Sequence, residues 1–211
     1  LMELLTVISI LATLSAFLYP VYLRVRSRMY AISCANQLRQ IGIAIHMYAH
    51  DYGDGTPYSM PDLMGKLYPN YVNKELLVCP YFQTIAPQGL IDDLHQILIQ
   101  SHWKTVWSSY WLMSPKHLDE GWRRGEHIGF APVFAKRGAE TPIVFCDTHQ
   151  NGCPETQISI RASSKAAPLL DLCARHLLFD PGAPLVILRW GGNVSLVHKL
   201  LAGTDVILMS Y

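Results

Sequence analysis

Several side chains in this 211-residue chain have the types and spacing that could do chemistry. His46 and His50 stand one helical turn apart, which suits a shared metal ion. No glutamate joins them in the His-Glu-x-x-His pattern of a zinc hydrolase, so they read as a polar pair on a helix surface. Asp51, Asp54 and Asp62 offer carboxylate oxygens for calcium, but the Asp-x-Asp-x-Asp-Gly loop is missing. Cys146-Asp147-Thr148-His149 sets a nucleophile beside a base. Triads, however, are assembled in space rather than in tetrapeptides, and there is neither a Gly-x-Ser-x-Gly elbow nor a phosphate loop. The chain is therefore not expected to be an enzyme, and no metal or cofactor is expected. Asn193-Val194-Ser195 is a glycosylation sequon that falls in a predicted strand.

Five cysteines stand at positions 34, 79, 146, 153 and 173. None forms Cys-x-x-Cys, which excludes haem attachment and zinc ribbons. Cys146 and Cys153 bracket the segment DTHQNG and could close it with a disulfide, while five buried thiols are the alternative reading.

The elements that must carry these residues divide unevenly. Half of the chain is hydrophobic and 16% is charged, against roughly 25% charged in an average soluble domain. Mean hydropathy is +0.17, which excludes a disordered or acidic solvating protein. The net charge of +1 leaves no global field to recruit nucleic acid, and no nucleic-acid partner is expected. The apolar excess sits at the front, where residues 4–23 contain no charge; as a helix this run is about 30 Å long, the thickness of a bilayer core. It starts with Leu1, Met2 and Glu3 and is followed by Arg24, Arg26 and Arg28, which is not the charge pattern of a secretory signal peptide. Beyond it Val25, Met29, Ile32, Ala35, Leu38, Ile41, Ile45, Tyr48 and Tyr52 recur mostly at steps of three or four, one face of an amphipathic helix. Gly53-Asp54-Gly55 and Pro57 stop it. Both halves together predict one helix over residues 1–52, followed by an α+β region over 53–211.

Within that region MPDLMGKLYPNY reads as a short helix and loop, ELLVCP as a strand, and GLIDDLHQILIQSHW as a helix. Strands are predicted at SSYWLM, TPIVFCD, TQISIRA, HLLF, LVILRW, NVSLVHKL and DVILMSY, with a Gly191-Gly192 hairpin turn. Residues 115–140 hold much of the local charge and read as an exposed loop.

The opening LMELLTVISILATLSAFLYPVY resembles the processed N-terminus of type IV pilins and type II secretion pseudopilins, the prepilin-type cleavage and methylation helix. It matches from the third residue of the usual mature chain, with Pro20 at the family's proline spacing. SCANQLRQIGIAIHMYAHDYGDGTP and YVNKELLVCP are similar to a bacterial subgroup with a large C-terminal domain, named for a His-x9-Asp-Gly motif. The motif itself is poorly kept: Arg175-His176 is present, but Trp190-Gly191 stands where Asp-Gly would be.

The resemblance implies a type IV pilin-like α+β fold, with a long helix, hydrophobic in its first half, packed on a C-terminal antiparallel sheet. It implies a pilin, the subunit of an extracellular helical filament of identical copies on the cell surface, anchored in the cytoplasmic (inner) membrane before assembly. Its partners would be a prepilin peptidase, which removes a short basic leader, and the pilus assembly machinery. A minor pseudopilin or membrane-anchored component of a type II secretion-like machine is the alternative. Assembly is implied to run through Glu3, Leu4, Leu5, Val7, Ile8, Leu11, Leu14 and Pro20, with Glu3 pairing to a neighbouring subunit's terminal amine and Pro20 bending the helix. Cys34 and Cys79 match subgroup positions and are implied to form a disulfide; with a Cys146–Cys153 bridge as well, Cys173 would be left over.

Overall fold

The first helix owes its length to what its sequence omits: Pro20 is its one proline and Gly42 its one glycine. Helix α1 runs without a break from Met2 to Tyr52, 51 residues or about 75 Å at the standard rise. The computed structural model describes residues 2–86, 88–101, 104–116, 129–146 and 185–197. After α1 come 3-10 turns at Pro57–Ser59, Met64–Leu67 and Lys74–Leu77, then helices α2 (Pro80–Ile85), α3 (Leu90–Gln100) and α4 (Phe130–Arg137). Four strands complete the order: β1 (Trp111–Leu112), β2 (Pro142–Cys146), β3 (Leu185–Arg189) and β4 (Val194–Val197).

The strands form one antiparallel sheet in the order β1-β2-β3-β4, with Val144 opposite Leu188 and Leu188 opposite Val194. Side chains alternate across it. Val144, Cys146, Val186 and Leu188 join the core beneath α1, whereas Phe145, Leu185 and Ile187 meet Met113 and the α4 residues Phe130 and Val133. Covered on both faces, β2 and most of β3 read as unbroken apolar runs rather than alternating ones. Gly42 lets α1 approach: a Cβ there would lie 3.2 Å from Leu188 Cδ1. The β3–β4 hairpin closes over Trp190 to Asn193, with Gly192 at φ 84° and its N–H donating to the Arg189 carbonyl at 2.9 Å.

Several expectations are corrected. The chain is α+β in the coarse sense of helices plus a small four-stranded antiparallel sheet, but the pilin-like fold built on a transmembrane helix is overturned. Among the described residues no helix is long and apolar enough to cross a membrane. Residues 3–19 carry a carboxylate at Glu3 and hydroxyls at Thr6, Ser9, Thr13 and Ser15, so the segment is not uniformly apolar. The amphipathic stripe is also shifted: Val25, Met29, Ile32 and Tyr52 are exposed, while Ala31, Cys34, Leu38, Ile41, Ile45 and Ala49 are buried. ELLVCP is a 3-10 turn leading into α2, because Pro80 fits the first turn of a helix and cannot donate to a sheet ladder. Residues 115–140 contain α4, anchored by the fully buried Phe130. The predicted strands TQISIRA, HLLF and DVILMSY lie outside the described residues, as do Cys153, Cys173, Arg175 and His176.

Candidate functional sites: an exposed helix half and a buried thiol cluster

The two halves of α1 differ in what surrounds them. From Ala31 onward a stripe of small and aliphatic residues is sealed against the sheet and α2. Residues 3–19 are exposed on every side. Leu4, Leu5, Val7, Ile8, Leu11 and Leu14 are each more than half exposed, and Phe17 reaches 77%. Their hydroxylated neighbours turn inward on the backbone: Thr6 Oγ1 donates to the Glu3 carbonyl, Ser9 Oγ to Leu5 and Thr13 Oγ1 to Ile10, each at 2.8 Å. Those bonds occupy the hydroxyl protons and leave the outer surface dominated by aliphatic groups. Glu3 lies in the first turn, where its carboxylate complements the positive end of the helix. The helix continues through Pro20.

Inside the core the second half of α1 contributes to a different feature. Cys34 from α1, Cys79 at the start of α2 and Cys146 at the end of β2 place their Sγ atoms within 4.8 Å of one another, all three fully buried. They are thiols rather than half-cystines. The expected Cys34–Cys79 pair is thus brought together, and Cys146 joins it.

The cluster is framed by polar contacts. The Cys34 thiol donates toward Tyr110 Oη at 3.9 Å, and that hydroxyl donates to Gln37 Oε1 at 2.5 Å. The Cys79 N–H donates to Ser109 Oγ at 2.6 Å, and the Ser109 N–H to the Leu77 carbonyl at 3.0 Å, so the 108–110 loop fixes the entry to α2. Burial pushes the Cys34 thiol well up, helped by its hydrogen bonds to Cys146 and Cys79. Burial acts on Cys79 in the same direction, but hydrogen bonds from the Cys146 and Cys34 thiols and the Phe82 and Tyr81 N–H groups take it well below its ordinary value. Burial, and then the neighbouring thiols, hold the Tyr110 phenol protonated, well above the usual range. The three sulfurs thus form a set in which Cys79 carries the anion most readily.

The remaining candidates disperse. His46 is half-buried, not on the open surface, and binds the β3–β4 turn, whereas His50 is exposed. Asp51 accepts from Tyr71 Oη, and Asp54 accepts from Thr56 and Ser59, which hold its carboxyl down at about 2. Asp62 binds Lys66 and Lys116, the latter at 3.4 Å. The three acids thus serve separate sets of partners and do not converge on one ion. Asp147 and His149 lie outside the described residues, and Asn193 donates to Glu140 at 3.2 Å. The role of Cys146 in the cluster was hidden in the sequence because its nearest cysteine neighbour along the chain, Cys153, suggested a local loop bridge. Comparison with known families, with curated proteins and with solved structures finds no match to this chain.

Proposed function

We propose that this chain is a structural subunit of a helical filament, polymerising through residues 3–19 of α1. The observation that carries the reading is the contrast along α1, where one half is docked on the sheet and the other is exposed, with large apolar side chains such as Leu4, Ile8, Leu11 and Phe17 open among its hydroxyls. Such a surface far exceeds the roughly 300–600 Å² apolar patch of an ordinary monomer. An amphipathic helix is completed by one partner, whereas a helix whose exposed aliphatic residues, interspersed with hydroxyls, lie on every side needs neighbours on several sides. Identical copies supply them, because helices pack at about 8–10 Å and each copy brings the same aliphatic rod. A rotation and rise that do not close then generate a filament.

The pilin resemblance of residues 1–22 points the same way and gives Glu3 its part. Inside a bundle of apolar helices its carboxylate needs a cation, and a neighbour's terminal amine is the cation the resemblance implies. Processing by a prepilin peptidase and display at the cell surface belong to the same reading. Helical reconstruction of sheared cell-surface filaments tests it: one repeated chain of this sequence is the expected result. A band in which the chain is a trace component indicates a minor pseudopilin instead.

A further inference from the structure

We propose that Cys34, Cys79 and Cys146 form a binding site for a single thiophilic d10 cation, Cu(I) or Zn2+. Three sulfurs from three separate elements converge with every Sγ–Sγ separation inside 4.8 Å, and all three residues are fully buried. A metal–sulfur bond of about 2.3 Å sets sulfurs about 3.8–4.0 Å apart in tetrahedral or trigonal geometry, so closure about an ion needs shifts below about 1 Å. A disulfide uses two sulfurs and excludes the third from the bond. A lone buried cysteine behaves as a small hydrophobe, but three in mutual contact supply a complete soft donor set.

The donors decide the class of ion. Among the described residues no imidazole or carboxylate belongs to the cluster, and its soft sulfur donors disfavour hard cations such as calcium and magnesium. Cu(I) is satisfied by three thiolates. Zn2+ adds a fourth ligand, and Tyr110 Oη, 3.9 Å from Cys34 Sγ, is an oxygen beside the cluster that could supply it. Binding is a displacement without electron transfer: each S–H bond broken gives a metal–sulfur bond, and the proton passes to solvent. The site lies where α1 meets α2 and β2, so the ion would tie the docked half of α1 to the sheet. It stands independently of filament assembly.

The test uses the full chain, reduced and handled without oxygen. Titration with Cu(I) supplied as its acetonitrile complex, and separately with Zn2+, is expected to saturate at one equivalent for at least one ion. The metal-edge X-ray absorption of that complex should show three sulfur neighbours: with Cu(I) no further ligand, with Zn2+ one added oxygen. Cys79→Ser and Cys146→Ser should each lower affinity at least tenfold, with far-UV circular dichroism checking that they fold. Because the absorption spectrum is read on the unsubstituted chain, the assignment stays open to refutation if a variant misfolds. Saturation by neither ion, a sulfur count below three, or unchanged affinity in folded Cys146→Ser overturns the site. So does a Cys34–Cys79 disulfide in protein isolated without reductant, if the reduced chain then takes up neither ion.

Discussion

His46 Nε2 donates to the carbonyl of Trp190 at 2.7 Å, and the two rings lie 4.1 Å apart between centroids. One helical residue thereby holds the turn of the β3–β4 hairpin by both backbone and side chain. The turn is held from its other side as well, since the Trp190 and Gly191 N–H groups donate to the Thr141 and Ala139 carbonyls at 2.9 and 2.7 Å. Helix, hairpin and the approach to β2 are therefore locked at one point. His46→Ala removes the hydrogen bond and the ring contact together and leaves the Trp190 carbonyl to water. We expect a loss of about 1–2 kcal/mol, read as a lower urea midpoint, with Trp emission shifted to the red in the folded baseline. An unchanged midpoint would show that the N–H donations alone hold the turn.

The boundary between the two halves of α1 can be tested by truncation. Cutting the whole helix away, to leave Gly53–Tyr211, removes Ala31, Cys34, Leu38, Ile41, Ile45 and Ala49 from the core. Each Leu or Ile lost from a buried site costs about 2–5 kcal/mol, so several together exceed the stability of an ordinary domain. Gly53–Tyr211 should fail to fold. Arg26–Tyr211 keeps that stripe, together with Arg26 over the Tyr30 ring at 5.7 Å and the Tyr30–Tyr81 edge contact. It should be folded and monomeric by sedimentation, whereas the full chain associates. A folded Gly53–Tyr211 would show that the helix decorates the core without completing it.

Much of this arrangement was legible in the residues, and the failures have physical causes. The long helix and its stop at Gly53 could be read because only Pro20 and Gly42 interrupt some fifty positions before the Gly53-Asp54-Gly55 stop. Strands β2, β3 and β4 could be read because β-branched and aliphatic runs flank a Gly-Gly turn. The buried face of α1 was read correctly at Ala35, Leu38, Ile41 and Ile45 but misjudged elsewhere, because the small residues Ala31, Cys34 and Ala49 also line it and large exposed ones such as Ile32 mimic a core pattern. Cys79 looked like the end of a strand because Leu76, Leu77 and Val78 are apolar in succession, and only the following proline marks the helix start. Sequence distance hid Cys146 from the thiol cluster, whose other two members, Cys34 and Cys79, were expected together only through the resemblance. His46 and Trp190 lie far apart along the chain, and no local signal couples a histidine to a hairpin turn.

Glu3 and the aliphatic residues beside it separate charge pairing from apolar burial. Glu3→Gln keeps the size and removes the charge, so it should reduce filament number while leaving the melting of the folded head unchanged. Ile8→Asp places a carboxylate where copies would pack, and burying it unpaired costs several kcal/mol. Filaments should then be lost, with no change in the melting of the head because Ile8 is 55% exposed in the single chain. Normal filament counts for both variants would remove residues 3–19 from the assembly interface.

His95 gives the fold a pH dependence whose sign can be worked out. It is 4% exposed on α3, and its Nδ1 accepts the Trp107 N–H at 3.1 Å, which requires that nitrogen to be unprotonated. Burial, and then the positive charge of Lys74, hold the imidazole below its ordinary value, while Asp92 and Glu75 pull the other way. A base whose folded pKa is depressed binds its proton more readily in the unfolded chain. Its contribution is therefore complete above the unfolded value, about 6.5, and is lost as the pH falls toward the folded value. One such group changes stability by at most about 1.4 kcal/mol per pH unit within that window. His95→Gln retains a side-chain acceptor for the Trp107 N–H and does not titrate. Urea midpoints measured from pH 8 to pH 5 should fall more steeply for the unsubstituted chain than for His95→Gln, with the curves diverging below about pH 6.5. Parallel curves throughout would show that His95 binds its proton equally well in the folded and unfolded chains, against the depression argued from its burial.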